Sequence, residues 1–555
     1  MNLIGQIAKL RAIRPHYTEA DLRELARQLQ VPEHRIQELV SFYPHLQPLP
    51  KGAQLFQVCT DVACLLRGAC ELLERVVADV RAGRCPEAAV RPCHCLGRCD
   101  TAPAVLLNET PHRVRFDRSG AALDCEPIMR SPHEGQDWQL NPHRGSPPYE
   151  VFLKWRDNPT AFRAYAIGEL ERAGLRGMGG AGFPTARKWK AVAEANGSPK
   201  YVICNADESE PGTFKDRELL GRFPEAVIEG ILVAALAVDA SQGIVFIRHE
   251  YEPEAAVLDE AIESARARGL LGANAFGPAR PFDIELVRSP GGYILGEETA
   301  LLEALEGRRG EPRNRPPYPA THGLYGRPTL INNVETLVAA AAILARGADW
   351  WLGLGRNGAH GLKLVSVSGD VARPQVCEVE LGTPVREIIE RCGGVSGSGK
   401  LKAFAPGGVS SAWLPPEAAD VPYDFESLRS AGSMLGSGGL IVLAEGAPIG
   451  DVALSICRFF AEESCGKCVP CRMGTAQVVR LLETVQEDPA QELPPAFLRD
   501  LAATLKETSI CGLGQVALDG LLSLLQLFPD EVLKRTDRGA RSGGNGSRSR
   551  EGSGG

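Results

Sequence analysis

At 555 residues the chain has material for roughly three or four domains. Its formal net charge of -8 and pI near 5.8 exclude the basic footprint of a nucleic-acid-binding protein. No apolar run approaches the roughly 20 residues of a membrane-spanning helix, and no basic-then-apolar segment opens the chain. The 16 cysteines are therefore expected in a reducing cytoplasm, as metal or cluster ligands and not as disulfides.

Residues 1–46 read as short helices, with apolar residues at helical spacing interrupted by Pro32 and closed by Pro44. Residues 47–130 read as a compact α/β unit: a strand-like LFQVC, a helix CELLERVVADV, and the strands PAVLLN and HRVRFD. A polar, Pro/Gly-rich linker covers 131–149. The central domain, 150–355, alternates strand-like runs (KYVICNA, GIVFIR, FDIELV) with long helical ones, the pattern of an α/β layer fold. Residues 356–447 are richer in strands and glycine turns, and 448–536 are mostly helical. The Gly/Ser/Arg-rich end, 537–555, cannot bury a core and is expected to be disordered.

Two cysteine sets stand out. In the N-terminal unit, Cys59-x4-Cys64 is followed about one helix later by Cys95-x3-Cys99. Two loops with two thiolates each suit a binuclear iron–sulfur cluster, two cysteines per iron; a structural zinc takes four thiolates as well and is the alternative. Cys93 lies close enough to Cys95 to replace it. In the C-terminal unit, SCGKCVPCR supplies Cys465, Cys468 and Cys471, with Cys511 about 40 residues on. Three thiolates on one loop plus a remote fourth favour a cubane [4Fe–4S] cluster.

Between these sets lies GMGGAGFPTARKW, Gly177 to Trp189. Gly177-x-Gly179-x-x-Gly182 matches the dinucleotide fingerprint in form, but the segment before it looks helical where the fingerprint follows a strand. It reads instead as a phosphate or flavin loop at a helix N-terminus, with Pro184 in the first turn and Lys188 one turn in. Downstream, NADESEPGTFKDR places Asp207, Glu208 and Glu210 directly after the apolar run YVICN, where open α/β sheets bind ligands. Carboxylates there suit ribose hydroxyls and disfavour a 2′-phosphate. The pair Glu297 and Glu298 opening a helix, and the amides Asn332 and Asn333, read the same way.

On these residues, 150–535 resembles the flavin- and NADH-binding subunit of respiratory complex I and its relatives, the diaphorase subunits of NAD-reducing hydrogenases and NAD-dependent formate dehydrogenases. The N-terminal part, with SFYPHL and CLGRC, resembles the small thioredoxin-like [2Fe–2S] subunit of the same machines, fused in front. The resemblance implies a multidomain α/β protein: N-terminal helices and a thioredoxin-like [2Fe–2S] domain, a Rossmann-like FMN/NADH domain, a β-grasp (SLBB) domain, and a helical bundle holding the [4Fe–4S] cluster. It implies FMN against Gly177, Gly179, Lys188, Asn205, Asp207, Tyr293, Gly296, Glu297, Asn332 and Asn333, and NADH against Phe183, Glu208, Glu210, Glu298 and Tyr318. Met178, Leu295 and Ala191 depart from the family pattern, replacing an arginine, a cysteine and an aromatic of some members.

The implied chemistry is hydride transfer from NADH to FMN, with single electrons then leaving through the clusters to other iron–sulfur subunits, in a complex I-type NADH:quinone oxidoreductase. The alternative is the diaphorase of a hydrogenase or formate dehydrogenase; a non-catalytic electron-transfer or zinc-bearing scaffold subunit is a further alternative. No side chain is assigned acid–base catalysis. No nucleic acid and no membrane span are expected, and any membrane attachment, at the inner face, is through partner subunits.

Overall fold

In the computed structural model the described residues are 3–49, 54–83, 88–116, 123–129, 137–397, 399–488, 491 and 493–534. The tail expected to be disordered, 537–555, and the first six residues of the linker lie outside them.

Three helices, Leu3–Ile13, Glu19–Leu29 and Glu33–Phe42, open the chain. The second has a capping box between Thr18 and Asp21, the device expected where a Thr precedes a helical apolar run. Ile7, Ile36, Leu39, Tyr43 and Leu46 are buried in one core with Phe246 and Leu301 of the central domain. Tyr43 also donates to the Arg308 carbonyl at 2.8 Å. The short helices are thus stabilised by docking, which their length requires.

The N-terminal sheet has the order β2-β1-β3-β4-β5, from β1 (Gln54–Cys59), β2 (Ala88–Cys93), β3 (Ala104–Leu107), β4 (Thr110–Phe116) and β5 (Leu123–Pro127). β1 and β2 are parallel, joined through the helix Ala69–Arg81, and the other pairs are antiparallel. β2 carries Pro92 and lies at the sheet edge, where a missing N–H is tolerated.

The central sheet is wholly parallel, with the order β8-β7-β6-β9 from β6 (Tyr201–Ala206), β7 (Gln242–Arg248), β8 (Asp283–Ser289) and β9 (Thr329–Asn333). Helices Pro224–Val238 and Val334–Arg346 pack against it and are buried over almost their whole length, as near-continuous apolar sequences dictate. They approach so closely that a Cβ on Gly230 would lie 2.7 Å from the Leu337 carbonyl oxygen. The third sheet, β11-β10-β13-β12, comprises β10 (Leu362–Gly369), β11 (Gln375–Glu380), β12 (Leu401–Ala405) and β13 (Gly439–Ala444). β10 and β13 are parallel and the flanking pairs antiparallel, with the helix Val385–Arg391 packed on one face. Helices Ile449–Glu462, Val469–Glu487, Pro495–Thr508 and Asp519–Leu527 complete the chain. None of the described helices is long and apolar enough to cross a membrane.

Candidate functional site

In the central sheet the chain leaves β6 toward β7 on one side, while β9 returns on the other. The crevice at the carboxyl ends of β6 and β9 is therefore a topological switch point, the place where open parallel sheets bind ligands. Asn205 and Asn333, in register with each other, end the pairing of β6 with β9, and Asn332 lies opposite Cys204. The sequence-selected residues gather here.

The glycine loop enters the crevice between the helices Pro159–Ala173 and Thr185–Glu194, so a helix does precede it where the dinucleotide fingerprint has a strand. Met178 N–H donates to Thr336 Oγ1 at 2.8 Å, and a Cβ on Gly179 would sit 2.9 Å from Asn333 Cβ. Gly180 and Gly182 have φ of +128° and +61°. Lys188 donates to the Ile331 carbonyl at 3.1 Å and pairs with Glu298. The buried Trp189 donates to Asn332 Oδ1 at 2.9 Å. Asn205 reaches the Gly296 carbonyl at 2.9 Å, and Asn333 donates to Asp216 at 2.6 Å. Glu297 caps the helix Glu298–Leu305 by accepting from Thr299 and Ala300 N–H, both at 2.9 Å.

Asp207 is buried, with Oδ2 lacking any hydrogen-bond partner, and burial pushes its carboxyl up to about 6. An oxygen so placed at the crevice can accept a hydrogen bond from a ligand.

The other acids of the turn face protein. Glu208 accepts from the amides of Asp216 (2.9 Å) and Arg217 (3.1 Å) at the start of the helix Lys215–Arg222, and from Tyr251 OH at 3.0 Å. Burial, then the nearby Asp216 charge, push it up to about 7. Glu210 accepts from Tyr293 OH at 2.6 Å and from Ser410 N–H and Oγ at 2.8 Å, which joins the turn to the third sheet's domain. By contrast Phe183 and Tyr318 are 46% and 58% exposed, and Glu298 is partly exposed. Of the acids expected to face a nucleotide, Glu298 alone is open to solvent; Glu208 and Glu210 are enclosed.

The four N-terminal cysteines are all buried. They form two pairs: Cys95 and Cys99 sulfurs are 3.7 Å apart, and Cys59 and Cys64 hydrogen-bond to each other. Cys59 and Cys99 are pushed well above the usual thiol range, first by donating to the partner thiol and then by burial; Cys95, accepting from Cys99, is lowered. Cys93 lies on β2 opposite Cys59, outside these pairs.

Arginines that sequence reading missed bind this unit to the central domain. Arg217 is fully buried, with two bonds to Asp100 at 2.8 and 2.9 Å and one to the Gly97 carbonyl at 2.8 Å. Arg98 pairs with Glu254 at 2.8 Å, and Arg248 donates to the carbonyls of Cys95 and Glu208, linking the cysteine loop to the acidic turn. Gly97, at φ +66°, leaves no room for a side chain: a Cβ would lie 2.3 Å from Tyr251 OH. Arg98 and Arg217 stand inside the CLGRC and NADESEPGTFKDR motifs, and only Arg248 showed as a charge ending an apolar strand, GIVFIR.

In the C-terminal bundle, Cys468 caps the helix Val469–Glu487, Cys471 lies in its first turn, and Cys511 precedes the short helix Gly512–Val516. The sulfurs share one neighbourhood: Cys471 interacts with Cys468 and Cys465, and Cys511 with Cys465. Burial pushes Cys471 up to about 11 and Cys511 up to about 12. Such thiols lose their protons on binding a cation, which suits cluster ligation. His94 links the two cysteine regions, contacting Asp61 at 2.9 Å and Glu462 at 3.1 Å.

A switch-point crevice in a parallel sheet, with a set of four cysteines on either side, defines the class: an α/β ligand-binding domain joined to two thiol-bearing units. Family models agree in chain order. They match a thioredoxin-like [2Fe–2S] ferredoxin over 2–119, the Nuo51 FMN-binding domain over 170–342, an SLBB domain over 364–410 and the NADH-ubiquinone oxidoreductase-F iron–sulfur binding region over 451–535. The F subunit of the Streptomyces coelicolor NADH-quinone oxidoreductase is 41% identical over 399 residues, covering 72% of this chain and 88% of that protein. The F 2 subunit of the Rhizobium meliloti NADH-quinone oxidoreductase is 43% identical over 365 residues, 66% and 87% of the respective chains. A chain of the NAD+-reducing [NiFe]-hydrogenase in its air-oxidized state superposes with a TM-score of 0.82 at 31% identity, covering 96% of this chain and 94% of that one. The chain belongs to the family of NADH-quinone oxidoreductase F subunits.

Proposed function

We propose that this chain is the NADH dehydrogenase (diaphorase) subunit of a larger assembly, binding NADH, FMN, a [2Fe–2S] cluster and a [4Fe–4S] cluster. When bound, FMN accepts hydride from NADH and the clusters carry its electrons singly to other iron–sulfur subunits. The observation that carries this reading is the convergence of the glycine loop, Lys188 and the unpartnered Asp207 Oδ2 on one crevice between two four-cysteine sites.

The residues fit the flavin. Gly177 N–H donates to the Phe183 carbonyl at 2.9 Å and shapes the loop, the backbone of Gly179 and the cation of Lys188 would suit a phosphate, and Asp207 Oδ2 would suit a ribityl hydroxyl. Asn205, Tyr293, Gly296, Glu297, Asn332 and Asn333 complete the lining. Phe183 and Tyr318 would stack on the adenine and Glu298 would meet the adenosine. Glu208 and Glu210 act from behind, holding the acidic turn in shape. Cys59, Cys64, Cys95 and Cys99 would ligate [2Fe–2S], with Cys95 favoured over Cys93 by its pairing with Cys99. Cys465, Cys468, Cys471 and Cys511 would ligate [4Fe–4S].

For the parent assembly two readings stand. The NADH-quinone oxidoreductase relatives point to a complex I-type NADH:quinone oxidoreductase, with the chain cytoplasmic and held at the inner membrane face by partner subunits. The hydrogenase chain matches the fused N-terminal unit as well, which favours a diaphorase of that type. Affinity purification from the native host separates them, by recovery of quinone-reductase or hydrogenase subunits. The activity itself is tested by assaying NADH oxidation with an artificial acceptor while quantifying bound FMN; a preparation that binds FMN and leaves NADH unoxidised refutes it.

A further inference from the structure

We infer that Cys377 and Cys392 form a thiol–disulfide exchange site for a low-molecular-mass disulfide, separate from both cluster sites. Their sulfurs are 3.5 Å apart, so bond formation needs a closure of about 1.5 Å. Cys377 lies on β11, the edge strand of the third sheet, and Cys392 directly follows the helix Val385–Arg391. Neither belongs to a cluster motif.

The two sulfurs are placed unequally. Cys392 is fully buried, whereas Cys377 is half-buried and lines an open cavity of about 440 Å³ beside Gln375, Glu378, Arg391, Asp137 and Trp138. The depression is open to solvent, so a small disulfide can reach the Cys377 sulfur. The hydrogen bond from Cys377 lowers Cys392 against the opposing effect of burial, helped by Gln375 Nε2 at 3.7 Å and the Arg373 and Arg391 cations, while the same bond raises Cys377; Cys392 is thus the thiolate of the pair and the base for the Cys377 proton. In reducing surroundings a close dithiol at a cavity is a redox or catalytic feature more than a structural one.

The exchange balances without any other reactant. The proton shared by the pair moves to Cys392, and the Cys377 thiolate attacks the entering disulfide, forming a mixed disulfide and expelling one thiolate. That thiolate takes the proton from Cys392, whose sulfur attacks Cys377, closes the Cys377–Cys392 bond and expels the second thiolate. The protein pair is oxidised by two electrons, and one small disulfide leaves as a thiol and a thiolate, the latter taking its proton from water. The Glu378 carboxylate accepts from Gln139 and Leu140 N–H at 2.8 and 2.7 Å, so the bond would form where the inter-domain linker is clipped to the third sheet.

The test uses the full chain with its flavin and clusters, held anaerobically in a series of oxidised-to-reduced glutathione ratios, then acid-quenched, alkylated and peptide-mapped. Visible absorption during the incubation confirms that the clusters stay intact. The expected result is joint loss of alkylation at Cys377 and Cys392 with recovery of one cross-linked peptide pair. Cys392→Ser should trap glutathione on Cys377, and Cys377→Ser should leave Cys392 unmodified. Full alkylation of both thiols at every ratio, or glutathione persisting on Cys377 of the unmodified chain, would overturn the inference and leave an inert core thiol pair. The unmodified chain decides this alone, so a variant that fails to fold does not blunt it.

Discussion

The two cysteine sites solve the same ligation problem in opposite surroundings. At the N-terminal site all four thiols are buried, and the loop CLGRC is locked to the central domain by Arg98, Arg217 and Arg248. At the C-terminal site Cys465 and Cys468 are partly exposed, and Val469 and Met473 beside them project into solvent. The N-terminal site is thus sealed and attached to the acidic turn, whereas the C-terminal site presents an apolar, accessible face. Burial of charge, not of apolar surface alone, makes the difference: a buried ion pair adds little net stability but is costly to break.

The comparison can be broken at several points. The largest effect is expected from Cys471→Ser, which should remove the [4Fe–4S] cluster, about four of about six irons, and abolish electron delivery to partner subunits while sparing the N-terminal cluster; iron analysis and EPR read this. Arg217→Met should remove the buried cation that joins Asp100 to Glu218 and cost about 3–5 kcal/mol, measured by denaturant unfolding, with the [2Fe–2S] absorbance lost first.

Two glycines sharpen the contrast. Gly97→Ala meets both a positive φ and the Tyr251 hydroxyl, whereas Gly466→Ala, at φ +78°, meets nothing closer than Arg472 Cδ at 3.7 Å. The first should cost about 2–4 kcal/mol and the second about 1 kcal/mol, compared by their unfolding midpoints.

The sealed side should also carry a pH signature. Glu208 is raised from 4.5 to about 7 on folding, so the folded state binds the extra proton. Its contribution is fully present below pH 4.5 and is lost as pH rises through about 7. Glu208→Gln should flatten that fall in thermal unfolding of the flavin-depleted chain. The smallest effect is expected at the exposed rim: Tyr318→Ala should raise the NADH KM about twofold to tenfold with kcat little changed, by loss of one stacking contact.

Much of this was legible in the sequence. LFQVC, KYVICNA, GIVFIR and FDIELV fold as the strands their patterns announce, and the helix before the glycine loop excludes an ordinary dinucleotide fold. β2 was not legible because Pro92 interrupts it, which its edge position permits. β9 was hidden because TLINN looks like a polar turn, although its amides end a buried parallel strand. The inward turn of Glu208 and Glu210 was not legible either: their donors, Tyr251, Tyr293 and Ser410, are distant in sequence, and nothing local distinguishes an acid facing a ligand from one facing a helix N-terminus.

The most direct test of the account is an anaerobic NADH titration of the purified chain followed by visible absorption and EPR. The account predicts flavin bleaching together with reduction signals from two distinct clusters. Cluster signals without bound flavin, or a bound flavin that NADH does not bleach, would contradict it and reduce the crevice to a structural relic in an electron-carrying subunit.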